Sequence, residues 1–153
     1  MILFRWASFF IIGMVFSACD SSGIAGSPTA FEHSAVTRAC GPADGPAVGI
    51  YLASAPVQLP GPPMPHVRIY LWDYGVQDLE GRMLSVGENS ANGGAWYHTS
   101  ANEYEIATAG VVRIEEVHPD NSVEGSVSIF FPSGRQVWSG FRAVWISQTF
   151  LCP

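Results

Sequence analysis

From residue 41 onward, apolar and polar residues alternate in short segments that turn residues separate. Segments 47–54 and 66–73 have apolar residues at every second position, and the shared face carries Val48, Ile50, Leu52, Val67, Ile69 and Leu71. Further segments rich in Val, Ile, Phe, Trp and Tyr follow at a spacing of about ten residues. This pattern predicts an all-β domain over residues 40–153, built as a single antiparallel β-sandwich or a barrel-like domain.

The segment 131–135, FPSGR, fits a three-residue hairpin loop. Pro132 suits the second turn position, and Gly134 suits a left-handed conformation. The resulting register predicts four opposed pairs, which are Ile129 with Val137, Gly125 with Phe141, Val123 with Ala143, and Glu124 with Arg142. The last pair lies on the other face, where we expect an ion pair.

Two segments allow more than one structure. Apolar residues in 76–84 fall near helical spacing, but Gly81 interrupts them. The proline-rich segment 56–66 favours polyproline II, either as a docking loop for an aromatic-lined groove or as a stiff connection between strands. Of these two interpretations we favour the stiff connection between strands.

The first 18 residues combine Arg5 with an apolar stretch from Trp6 to Ala18. At ~1.5 Å per helical residue this stretch reaches only about 20 Å, which is shorter than the ~30 Å hydrocarbon core of a bilayer. Residues 1–18 are therefore predicted to be a signal peptide.

The residues Phe16-Ser17-Ala18-Cys19 resemble the lipobox of bacterial lipoprotein precursors, although Phe16 stands where Leu is usual. The resemblance implies that Cys19 receives a diacylglyceryl group, becomes the mature N-terminus and is then N-acylated, with palmitate as a typical chain. Two or three acyl chains attach a protein to a membrane effectively permanently. The implied location is the periplasmic side of the bacterial cell envelope. Asp20 resembles an inner-membrane retention signal, and the choice between inner and outer membrane stays open.

Cys40 and Cys152 remain as an even pair once Cys19 is acylated. In an oxidising, extracytoplasmic compartment we expect them to form a structural disulfide between the two ends of the domain. Residues 19–39 are rich in Ser, Gly, Ala and Thr, and we expect them to form the lipidated N-terminus and a flexible tether.

The formal net charge is −6, and all seven basic residues are arginines. Such a chain is unsuited to nucleic acid, whose phosphates attract Lys and Arg clusters, and to direct docking on anionic lipid. The expected membrane contact is the lipid anchor on Cys19. An envelope protein or a small ligand is the expected partner, and no cofactor is expected.

One strand tip has the residue types of a metal site. Glu116, His118 and Asp120 alternate along a predicted strand, and an imidazole with two carboxylates can bind a divalent cation. A polar strand tip followed by an Asp-Asn turn explains the same residues. The sequence contains no Gly-x-Ser-x-Gly motif, and catalytic residues stay unassigned.

A second group of residues has the chemistry of a ligand or partner surface. Aromatic rings with polar tips, interleaved with Arg, are common in binding surfaces, although they also cover sheets. The residues concerned are His66, Arg68, Tyr70 and Trp72 on one strand face, and Trp96, Tyr97 and His98 in a later segment.

These observations favour a membrane-tethered extracytoplasmic lipoprotein with a binding or scaffolding domain. The alternative is an envelope hydrolase or metal-dependent enzyme that uses the Glu116, His118 and Asp120 strand tip. A packing element of a larger envelope complex is a third hypothesis.

Overall fold

The computed structural model describes residues 31–147, which form nine β-strands and two short 3₁₀ turns. The strands are β1 (His33–Cys40), β2 (Pro46–Ala53), β3 (His66–Trp72), β4 (Met83–Val86), β5 (Gly93–His98), β6 (Tyr104–Ile106), β7 (Ala109–Val117), β8 (Val123–Phe130) and β9 (Gln136–Trp145). The 3₁₀ turns occupy Pro42–Asp44 and Val76–Leu79. Over residues 31–147, no helix is long and apolar enough to cross a membrane. The predicted all-β class is confirmed.

All nine strands belong to one curled sheet in the order β4-β7-β8-β9-β1-β2-β3-β5-β6. Neighbouring strands are antiparallel except β1 and β9, which run parallel, with Ala35 beside Val144 and Val36 beside Trp145. The sheet is therefore mixed and forms a half-barrel, so the purely antiparallel prediction is wrong and a sandwich is not confirmed. The reason is that the last strand returns to the middle of the sheet beside the first.

The hydrophobic core lies on the inner face of the curl, where side chains from both halves of the sheet meet. The six residues expected from β2 and β3 are all buried there. They pack with Val36 of β1, Val112 of β7 and Ile129 of β8. Because side chains in a strand alternate between faces, the same strands carry a second, outer set of residues.

The β8–β9 hairpin has the register that the sequence predicts. Glu124 lies opposite Arg142, and the three other predicted pairs are also formed. The Phe131 backbone N–H donates to the Arg135 carbonyl over 3.0 Å, and Gly134 has a φ of 83°. Arg142 Nε lies 3.2 Å from Glu124 Oε1, so the expected ion pair is confirmed.

Two elements differ from the sequence analysis. Residues 33–39, which the sequence analysis assigned to the tether, belong to β1 (His33–Cys40), a strand paired on both sides. The segment with near-helical spacing divides into a 3₁₀ turn and β4, and Gly81 lies between them with a φ of 69°. The leader, Cys19 and Cys152 lie outside the described residues, so the lipobox and the Cys40–Cys152 disulfide stay predictions.

We expect Gly125→Ala to destabilise the domain strongly, because a Cβ at Gly125 would overlap the backbone oxygen of Arg113 on β7. Overpacking of this kind typically lowers the free energy of unfolding by about 1–3 kcal/mol. The matched control is Gly140→Ala, whose Cβ would meet only the Gly125 oxygen, 3.9 Å away. Urea denaturation of both variants measures the difference, and equal midpoints would contradict the β7–β8 packing.

Candidate functional site

The outer face of β2, β3, β5 and β6 carries a continuous group of aromatic and basic side chains. Strand register brings them together, since Arg68 lies between Tyr51 on β2 and Trp96 on β5, and His66 lies beside His98. We call this group the aromatic face, and its members are Tyr51, His66, Arg68, Tyr70, Trp96, His98 and Tyr104.

Two glycines leave space for the aromatic rings of this face. A Cβ at Gly94 would overlap the six-membered ring of Trp96, which therefore lies over Gly94. A Cβ at Gly49 would lie 3.0 Å from Tyr70 Cε1. Small residues at these two positions let the rings rest against the sheet instead of projecting away from it.

Arg68 is the cation of the aromatic face. Its guanidinium carbon lies 5.0 Å from the Tyr70 ring centroid and 5.3 Å from that of Trp96, and these two rings meet edge to face at 5.7 Å. Cation–π contacts of this length contribute about 0.5–2 kcal/mol each. Among residues 31–147, Arg68 forms no salt bridge with a carboxylate. Aromatic rings hold the guanidinium in place, and its charge stays uncompensated.

His66 and His98 stack on each other next to Arg68. Their ring centroids are 4.7 Å apart with an interplanar angle of 14°, and they are only 3% and 8% exposed. Burial lowers the pKa of His66, and its bond to the Pro63 carbonyl offsets part of that effect. Burial, His66 and Arg68 lower the pKa of His98 to about 4. Both imidazoles are therefore neutral at pH 7.

Unused hydrogen-bonding capacity is concentrated on this side of the sheet. Over residues 31–147, three buried side-chain polar atoms lack a hydrogen-bond partner, namely Thr37 Oγ1, Arg68 Nε and His98 Nε2. Thr37 lies on β1 opposite Gly49, which in turn lies opposite Tyr70. Buried polar groups are normally paired, and two of these three unpaired atoms belong to the aromatic face, which makes this face the candidate functional surface.

The structure brings together five of the seven residues that the sequence analysis proposed for this surface, namely His66, Arg68, Tyr70, Trp96 and His98. Trp72 shares the face at the end of β3, opposite Ala47. Tyr97 is wrong as a member, because it points into the core between Phe31 and Phe131.

The sequence analysis missed Tyr51 and Tyr104. The alternation that placed Val48, Ile50 and Leu52 in the core would have identified Tyr51 as a residue of the opposite face. Tyr104 gave no such signal, because β6 is only three residues long.

The candidate metal residues are arranged differently from the prediction. Asp120 accepts hydrogen bonds from the Ser122 backbone N–H at 2.9 Å and from its hydroxyl at 2.6 Å, so it closes a turn and does not join His118. Its place is taken by Glu124, which lies on the next strand. Glu116, His118 and Glu124 each offer one ligand atom, and these atoms lie within 4.8 Å of one another.

The contacts of His118 show what this cluster does for the fold. Nδ1 lies 3.4 Å from Glu116 Oε1, whereas Nε2 lies 3.1 Å from Glu124 Oε1, so the two carboxylates meet opposite sides of the ring. Glu124 also pairs with Arg142. A metal ion needs its ligands to converge on one point, whereas this geometry links β7, β8 and β9 through a chain of polar contacts.

A cleft of about 780 Å³ lies at one end of the half-barrel. Its lining includes Arg38, Tyr74, Gln77, Asp78, Asn121 and Trp145. Gln77 donates to Asn121 over 2.9 Å. The cleft mixes acidic and basic side chains, and no residue of the aromatic face lines it. Sequence reasoning missed it because its walls come from segments that are distant along the chain.

Comparison of this chain with protein-family models, with curated proteins and with solved structures finds no match in any of the three. The functional argument therefore rests on the geometry of the described residues. Of the three groupings, only the aromatic face combines ring surfaces, an uncompensated cation and unpaired polar atoms.

We expect the domain to lose stability as the pH falls from about 6.5 towards 4. Because the pKa values of His66 and His98 are lowered in the folded protein, these histidines bind more protons in the unfolded chain than in the folded one over this range. Each histidine therefore lowers the free energy of unfolding by at most about 1.4 kcal/mol per pH unit as the pH falls. Urea denaturation at several pH values measures this slope. His98→Gln should make it shallower, and an unchanged slope would contradict the assignment.

Proposed function

We propose that this protein is a lipid-anchored domain of the bacterial cell envelope that binds its ligand through the aromatic face. The observation that carries the proposal is the uncompensated Arg68 between the rings of Tyr70 and Trp96. Tyr, Trp and Arg are the residues that contribute most to binding energy at protein surfaces, because they combine a large apolar area with directed polar groups.

The position of these rings in the fold supports binding over packing. The core occupies the other side of the sheet, so the outer rings are not required to fill the half-barrel. Arg68, Tyr70 and Trp96 are only partly buried, and Tyr104 at the edge of the face is 55% exposed. An arginine held by rings is pre-organised, which reduces the entropy lost when a ligand binds.

The proposed lipid anchor is inferred from the lipobox resemblance at Cys19. The domain has a net negative charge, which gives it no attraction to anionic lipid, so acylation supplies the membrane contact. Because β1 already begins at His33, the segment between the acylated cysteine and the first strand is short. A ligand of this domain would therefore be an envelope component within reach of the membrane surface.

A metal-dependent envelope enzyme is the second candidate, and the grouping of Glu116, His118 and Glu124 favours it. Its residue set differs from the expected one, because Asp120 is held by Ser122. A metal ion there would compete with Arg142 for Glu124. The aromatic face needs no such rearrangement, which is why we place binding first.

We expect Cys19→Ser to abolish acylation and the cleavage after Ala18 that accompanies it, while the β domain stays folded. The domain keeps its fold because the substituted residue precedes all nine strands. Mass spectrometry of the protein from bacterial membranes measures both effects. A wild-type N-terminal peptide that begins at an unmodified residue other than Cys19 would disprove the anchor.

We expect Trp96→Ala and Tyr70→Ala to weaken binding of the protein to purified envelope material at least tenfold, as loss of an aromatic hot-spot residue typically does. Trp138→Ala is the matched control, since Trp138 is 55% exposed on β9, away from the aromatic face. Co-sedimentation of the full-length protein with envelope fragments gives the apparent affinity. Equal binding by all three variants and the wild type would contradict the proposal.

A further inference from the structure

We infer that the aromatic face recognises an acidic carbohydrate, with sugar rings stacked on Trp96 and Tyr70 and a carboxylate bound to Arg68. This inference rests on the proposed function, because it assigns a ligand class to the same surface. It follows from three properties of the face, namely its isolated charge, its polar atoms and its shape.

The charge of the aromatic face is opposite to that of the protein. The chain has a net charge of −6, yet the outward positions of four neighbouring strands include no Asp or Glu. These positions are Ala47, Gly49, Tyr51 and Ala53 on β2, His66, Arg68, Tyr70 and Trp72 on β3, Gly94, Trp96 and His98 on β5, and Tyr104 and Ile106 on β6. Arg68 is thus a lone cation without a nearby competing carboxylate, which suits one anionic group.

The polar atoms of the face suit a carboxylate surrounded by hydroxyls. A guanidinium presents a planar set of donors that matches a carboxylate in a bidentate arrangement. The hydroxyls of Tyr51 and Tyr70 lie 3.4 Å apart beside Arg68, and each can donate or accept. Sugar hydroxyls also donate and accept, so they can pair with groups whose roles are not fixed.

The shape of the face suits a chain of rings. Arg68, Trp96 and Ile106 form a partly exposed row across three adjacent strands, and a strand spacing of ~4.8 Å gives this row a length of about 10 Å, close to that of a disaccharide. The rings of Tyr70 and Trp96 rest on the sheet over Gly49 and Gly94, and neither residue lines the cleft of about 780 Å³. An open surface accepts the interior of a polymer, whereas a closed pocket accepts only an end or a small molecule.

The charge count distinguishes this ligand from single-stranded nucleic acid, which also stacks on aromatic rings. Nucleic acid carries a phosphate at every nucleotide, and its binding surfaces need a groove with several Lys or Arg residues. The aromatic face has one arginine and belongs to an acidic chain. A saccharide with one carboxylate per ring or per repeat matches a single cation.

The test titrates the full-length protein, purified in detergent micelles, with oligosaccharides of galacturonate and of mannuronate and with the methyl ester of each. Acid and ester share rings and hydroxyls and differ in charge. Tryptophan fluorescence and calorimetry report binding. We expect at least one free acid to bind tenfold or more tightly than its ester.

Three variants divide the interaction into its parts. Arg68→Gln should remove the preference for the free acid while binding of the ester changes less than twofold. Trp96→Ala should weaken binding of both forms. Arg113→Gln, which removes an exposed arginine of β7, is the matched control and should change neither affinity.

Several results would overturn the inference. These are equal affinity for acid and ester, no binding of any oligosaccharide in the panel, a preference for the acid that persists in Arg68→Gln, and tighter binding of oligodeoxythymidine than of the acids. If Trp96→Ala still loses binding to envelope material in such a case, the proposed function stands and only the ligand class is wrong. If Trp96→Ala binds both oligosaccharides and envelope material normally, both proposals fall.

Discussion

The parallel pairing of β1 with β9 joins what would otherwise be two separate antiparallel groups of strands. On one side lie β4, β7, β8 and β9, and on the other lie β1, β2, β3, β5 and β6. The backbone N–H of Ile146 donates to the Val36 carbonyl over 2.8 Å and continues the ladder beyond the strand end. Val36 is fully buried at this junction, so hydrogen bonding and core packing depend on the same few residues.

The strands that the sequence predicts are those whose alternation is strong enough to be read locally. In β2, β3 and β8 large apolar residues fill the inner positions, and one turn fixes the hairpin register. β1 lacks this signal, because its residues Ser34, Ala35 and Thr37 have the composition of a linker. Ala35 and Thr37 are nevertheless buried by neighbours that are distant along the chain, and no local pattern contains that information.

The same distinction explains the candidate site. Alternation along β3 is sufficient to group Arg68 with Tyr70, but their contact with Trp96 depends on the pairing of β3 with β5. The inclusion of Tyr97 was an error of principle, since three consecutive strand residues cannot share a face. The candidate metal residues are grouped differently for a related reason, because the strand ends before Asp120 and the next strand supplies Glu124.

The central position of β1 also has a mechanical consequence. β1 begins at His33, and its hydrogen bonds to β2 and β9 run across the strand axis. Tension applied to the start of β1 along that axis would load the bonds of both ladders together in shear, instead of opening them one after another. If the chain is held at Cys19, a pull from the anchor reaches the domain at the start of β1, where the two ladders resist separation together. Movement of the surrounding envelope could pull on such a domain without first unravelling the surface that carries Arg68 and Trp96.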